Sequence, residues 1–77
     1  MTWNYRIVKK EYPDEIVYQI HEAYYDKGKK KPRSITKNPV SPFGETIEEL
    51  AEDLEYFSEA FKHKILNYPE DFPWLMK

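Results

Sequence analysis

The sequence predicts an α+β fold in two layers, a three-stranded antiparallel sheet (with room for a short fourth strand) covered by one amphipathic helix. Three observations carry this. Residues 2–25 hold two stretches of aromatic and β-branched residues with period-two alternation. A Gly-containing lysine turn then leads into a third extended stretch. Residues 46–63 repeat apolar side chains at steps of three and four behind a capping signal. The 77 residues read as one small domain, 1–77, with strands at about 2–10, 15–25 and 32–38, a helix at about 46–63 and an irregular tail at 64–77.

The first strand is "TWNYRIV", in which Trp3, Tyr5 and Ile7 alternate with Asn4, Arg6 and Val8. Pro13 and Asp14 reverse the chain, because proline presets φ for a turn and aspartate bonds its own backbone. "EIVYQIHEAYY" follows, with Ile16, Tyr18, Ile20, Glu22 and Tyr24 on one side and Val17, Gln19, His21, Ala23 and Tyr25 on the other. Apolar groups on both sides mark a central strand. Asp26 and Gly28 turn the chain again. Pro32 donates no ladder hydrogen bond, so the third strand is an edge or starts after it.

Pro39 and Pro42 keep residues 39–44 a loop. Thr46 caps the helix with Glu49 three residues on, and Ile47, Leu50, Ala51, Leu54, Phe57 and Phe61 form one apolar stripe. Early acids and late Lys62, His63 and Lys64 both suit the helix dipole. Ile65, Leu66 and Tyr68 form a short strand or simply pack. Pro69 and Pro73 exclude a long helix, and Trp74 and Leu75 belong either to a packed tail or to a docking segment.

Composition narrows the class. Cysteine is absent, so disulfides and cysteine-rich zinc sites are excluded. Aromatics make up 17% of the chain, which suits a small core. Mean hydropathy is −0.88, and no apolar run approaches the roughly 20 residues of a membrane span. The start, "MTWNYRIVKK", lacks the apolar core of a signal peptide. A cytoplasmic protein with no membrane partner is expected. The net charge of −2 conceals two opposed segments. Residues 26–37 hold six cations and one acid, and residues 45–59 hold seven acids and no base. Local charge therefore governs the choice of partner.

An enzyme is not expected. Neither His21 nor His63 has an identifiable nucleophile beside it, and Ser34, Ser41 and Ser58 lie in no elbow motif. His21 reads as structural or solvent-facing. Gly28 and Gly44 are the only glycines, so there is no phosphate loop and no nucleotide cofactor. Glu48, Glu52 and Glu55 lie on a single helix, whereas hard-cation sites draw ligands from several segments, so no metal is expected. The lysine turn (Lys27, Lys29, Lys30, Lys31 and Arg33, beside Tyr24 and Tyr25) has the composition of a small nucleic-acid contact. It equally keeps a turn solvated and blunts an edge strand.

Gly44, Glu45, Thr46, Ile47, Glu48, Glu49 and Leu50 resemble the Gly-[acid]-Thr-Xaa-Glu-Glu-Leu step into the helix of HicB-type antitoxins. With "WNYRIV", "YQIHEAYYD" and "PFGETIEEL", the chain also resembles short bacterial and phage-associated proteins of unknown function. The first resemblance covers some twenty residues and implies a small sheet covered by a helix, a degenerate RNase H-like fold. It further implies neutralisation of a small basic toxin. The chain departs from that family in lacking a Pro-Gly-Cys-like segment before the step, and its 77 residues carry no pattern of the family's C-terminal DNA-binding domain.

The expected function is that of a non-enzymatic interaction module that occludes a partner protein stoichiometrically. Glu48, Glu52, Glu55 and Glu59 are the partner-facing charges, and Tyr24 and Tyr25 the aromatic anchors. Two alternatives stand beside it. One is a phage-type inhibitor of a host defence nuclease that mimics nucleic acid with its acidic helix. The other is a nucleic-acid binder working through the lysine turn. A homodimer is a further expectation, through an edge strand or through acidic helix on basic turn.

Overall fold

The computed structural model describes residues 2–72. Two long strands, β1 (Thr2–Tyr12) and β2 (Glu15–Tyr25), form an antiparallel hairpin paired along its whole length, from Thr2↔Tyr25 to Tyr12↔Glu15. β3 (Ser34–Ile35) adds to the outer edge of β2. A helix, α1 (Ile47–Ser58), continues into a 3-10 turn (Glu59–Lys62) and leads to β4 (Leu66–Tyr68). The sheet order is β3-β2-β1-β4.

Three details correct the expected architecture. The sheet has four strands and is mixed, because β4 runs parallel to β1 with Val8 opposite Leu66 and Lys10 opposite Tyr68. The third strand is two residues long instead of spanning 32–38. Pro32 is buried with no N–H to give, and past Ile35 the chain touches β2 only at intervals, by Thr36 N–H to the Glu22 carbonyl (3.0 Å) and Val40 N–H to that of Ile20 (2.9 Å). The helix does not cover the sheet as a second layer. It meets the strands through its final turn, where Phe57 stacks on Tyr5 with ring centroids 4.2 Å apart, and through the buried Ala60 of the 3-10 turn packed beside β1.

The core lies on the other face of the sheet. Register places Arg6, Val8, His21, Ala23 and Tyr25 on one side, joined by Ile35 and Leu66 from the edge strands. Val8, Ala23, Tyr25 and Leu66 pack there with Phe72, which folds back from the segment after β4. Backbone bonds hold that return, Asp71 N–H to the Asn67 carbonyl and Phe72 N–H to that of Pro69, both 2.8 Å. Asp71 also accepts from the Asn67 N–H at 2.6 Å. The expectations for Trp74 and Leu75 lie outside the described residues.

Two polar side chains are built into this core. Arg6 donates to the Tyr25 hydroxyl and to the Lys64 carbonyl, each at 2.6 Å, and so ties β1 to β2 and to the approach to β4. His21 is fully buried, with Nδ1 2.9 Å from the Thr36 carbonyl. A carbonyl only accepts, so Nδ1 carries the proton. Burial pushes the imidazole pKa below its ordinary value, outweighing the opposing effect of the Thr36 bond, and nearby Lys10 lowers it further.

Candidate interaction surface

The helix begins where a cap and a glycine allow it. Thr46 is extended, and its hydroxyl accepts from the Glu49 N–H at 3.1 Å. Glu49 reaches back to the Glu45 N–H at 3.2 Å, a capping box shifted by one residue. Gly44 passes so close beneath the first turn that an added Cβ would lie 2.3 Å from the Leu50 backbone nitrogen. Asp53 accepts from the Phe43 N–H at 2.8 Å and pins the preceding loop against the helix.

Held this way, α1 presents two surfaces. The outer ridge carries Glu48, Glu52 and Glu55, followed by Glu59 at the start of the 3-10 turn, all exposed. Only Glu59 has a cation, Lys62 at 3.0 Å; the other three side chains have none among the described residues. An exposed pair of that kind contributes little stability, so the ridge is nearly uncompensated negative charge. The second surface is apolar. Ile47, Leu54 and Phe61 are 78%, 58% and 71% exposed, and Leu50 is 39% exposed. Among the apolar residues of the stripe only Phe57 is buried, because the sheet is met by the side of the helix carrying Asp53, Phe57 and Ala60. The two sides of α1 are offset, so most of the stripe faces solvent.

Tyr24 and Tyr25 part company. Tyr24 is half-buried beside the exposed Trp3, and its hydroxyl donates to Glu22 at 2.7 Å, which holds the phenol above its ordinary pKa. Tyr25 lies in the core, its hydroxyl occupied by Arg6, so it is no surface anchor. The ring sequence reading passed over is Tyr5. It stacks on Phe57 and meets Trp3 edge-on at 5.1 Å, and burial, helped by Asp53 and Glu22, raises its pKa. Its alternation in β1 put it on a sheet face, but nothing local paired it with Phe57.

The lysine turn is well defined in its backbone. Gly28 takes φ of 77°, and the Lys29 N–H donates to the Asp26 carbonyl at 3.0 Å. Arg33 is paired with Asp26 at 3.4 Å, while Lys27, Lys29, Lys30 and Lys31 extend into solvent. The sheet and 64–72 segment bring Arg6 and Lys64 to the same side, where they line a concavity of about 540 Å³ with Lys30 and Lys31. The acidic helix and the basic turn thus give the molecule two surfaces of opposite sign.

His21 is buried against Thr36, and the ring of exposed His63 approaches Asn4, 3.5 Å away. Among the described residues no three His, Cys, Asp or Glu side chains are placed to hold a metal ion, and no helix is long and apolar enough to cross a membrane. No protein family, no curated protein and no solved structure matches the chain.

Proposed function

We propose that the chain is a non-enzymatic protein-interaction module, antitoxin-like in action, that binds a basic partner protein stoichiometrically and occludes it. The observation that supports this reading is the outer ridge of α1, where Glu48, Glu52 and Glu55 stand exposed with no cation of their own among the described residues, on the side of the helix away from the sheet contact at Phe57. Such a ridge steers a cationic surface toward it and fixes its orientation. Glu59 closes the ridge, exchanging Lys62 for the partner's charge. Tyr24, with Trp3 beside it, supplies aromatic contact area on the same chain.

The partner class follows from that chemistry: a small basic protein, such as a ribonuclease toxin, whose phosphate-binding surface matches a row of carboxylates. A defence nuclease presents the same kind of surface and would be occluded in the same way. The turn carrying Lys27, Lys29, Lys30, Lys31 and Arg33 supports a second reading, a nucleic-acid contact, because its four lysines are exposed and have no acid partner among the described residues.

Affinity capture from cells that carry the gene separates these readings. The wild-type chain is compared with Glu48→Lys/Glu52→Lys and with Lys29→Gln/Lys30→Gln/Lys31→Gln. A small basic protein held near one-to-one, lost with the helix variant and kept with the turn variant, is the expected result. Capture that ignores the helix charges overturns the ridge assignment. Nucleic acid lost only with the turn variant transfers the function to the lysines.

A further inference from the structure

We propose that the concavity between the lysine turn and the approach to β4 is an anion site, and that its ligand is a phosphate monoester of nucleotide size. The observation that leads there is Arg6. It is only 8% exposed, yet no carboxylate lies within ion-pair distance of it among the described residues. The chain's other arginine, Arg33, is exposed and has Asp26. A buried cation normally carries a counter-charge, because taking it out of water is costly. Arg6 instead has two neutral acceptors, the Tyr25 hydroxyl and the Lys64 carbonyl, and its Nε is buried with no partner. The counter-charge for Arg6 is one that a ligand can bring.

Further cations gather at the same point. Arg6 lines the concavity of about 540 Å³ with Lys30, Lys31 and Lys64. The sheet positions them. Arg6 holds the Lys64 carbonyl, and the Arg33 N–H, donating to the Tyr24 carbonyl at 2.6 Å, fastens the end of the lysine turn to β2. The lining has one acid, Asp71, whose carboxylate accepts from the Asn67 N–H. Four cations against one acid leave an excess of three. A carboxylate ligand would neutralise one of these charges. A phosphate monoester meets more of them, with a charge of about −1.5 to −2 at neutral pH and three strong acceptor oxygens.

The rest of the lining sets the size. Pro32 and Leu66, both buried, and Ile65 give the concavity apolar wall. Its volume falls within the roughly 300–1,000 Å³ of small-molecule sites, so the organic part of a monoester has room and an apolar surface to lie against. No lining residue belongs to α1, and Lys27 and Lys29 of the turn lie outside the lining.

Titration calorimetry on the full chain tests this with adenosine monophosphate, inorganic phosphate and adenosine, and with an oligothymidylate ending in either a phosphate or a hydroxyl. The Arg6 Nε–H resonance is followed by NMR, with Arg33 as the reference. Adenosine monophosphate and phosphate should compete for one site, adenosine should not bind, and the Arg6 resonance should move while that of Arg33 stays. Lys31→Gln/Lys64→Gln should weaken the nucleotide about tenfold or more, while Lys27→Gln/Lys29→Gln should change it by less than about twofold, since those charges are exposed and screened. If the first variant fails to fold, Lys30→Gln alone, expected to weaken binding several-fold, decides. Tighter binding of the mononucleotide makes a free metabolite the source of the phosphate, and tighter binding of the phosphate-ended oligomer makes it a strand end; both support the site. A chain that does not bind adenosine monophosphate overturns the proposal, as do equal binding of the two oligomers and equal loss in the two lysine double variants. Glu48→Lys/Glu52→Lys should bind the nucleotide as the wild type does, so failure of the ridge reading and failure of the anion site are told apart.

Discussion

Gly44 has no room for a side chain, since a Cβ would press on backbone at Leu50 and Glu49 that cannot rotate aside. Gly44→Ala should therefore displace the start of α1 and cost about 2 kcal/mol, within the usual range for single substitutions with a structural cause. Urea unfolding followed by circular dichroism measures it, and a loss under a few tenths of a kcal/mol would contradict the close approach. At His21 the effect depends on pH. The free imidazole titrates near 6.5, and burial lowers that value in the fold. As pH falls, the unfolded chain takes up a proton first. The stability His21 provides is thus complete above about 6.5, declines as pH drops below it, and levels off beneath the folded pKa. The unfolding midpoint of the wild type should fall more between about pH 7.5 and about pH 5.5 than that of His21→Asn, and equal slopes would contradict the buried neutral ring.

At the scale of elements, α1 is held at two points, its cap and its last turn. Thr46→Ala removes the bond to the Glu49 N–H and should cost about 1 kcal/mol, with helical signal lost at 222 nm (a wavelength roughly standard for helix content). Phe57→Ala removes the one stripe residue packed on the sheet and should cost about 3 kcal/mol or more, releasing the helix from Tyr5. A larger loss at Thr46 than at Phe57 would mean that the final turn is not the anchor. The helix was legible because its signals are local: a threonine cap, acids in the first turn, and three-four spacing. The position of the helix was not, because the stripe matches a sheet face and a second helix equally well. Strand β4 was foreseen only as a short stretch, and its parallel pairing with β1 depends on a partner some 58 residues away (Val8 to Leu66), a separation that leaves no mark in period-two alternation.

For the whole molecule, the side of the sheet that forms the core was the hidden choice. Trp3, Tyr5 and Ile7 look more apolar than Asn4, Arg6 and Val8, yet it is Arg6 and Val8 that are buried. Arg6 is tolerated there because Tyr25 and the Lys64 carbonyl accept its protons, and His21 because the Thr36 carbonyl does. Those partners lie far along the chain from Arg6 and His21, so composition alone cannot show them. The same arrangement leaves rings and aliphatic groups on the outside and sets an acidic helix against a basic turn. Binding of a basic partner to the ridge should weaken as salt rises. Charge reversal at Glu48 and Glu52 should slow association by about tenfold or more, read by stopped-flow mixing with the captured partner.

The most direct test of the ridge is carboxylate footprinting. The chain is labelled with a carbodiimide and an amine, alone and in complex with its captured partner, and each labelled acid is read by mass spectrometry. Protection at Glu48, Glu52 and Glu55, with Glu11 and Glu70 unchanged, is the predicted result. Unchanged labelling along α1 in a complex that is fully formed would contradict the account and place the partner elsewhere on the molecule.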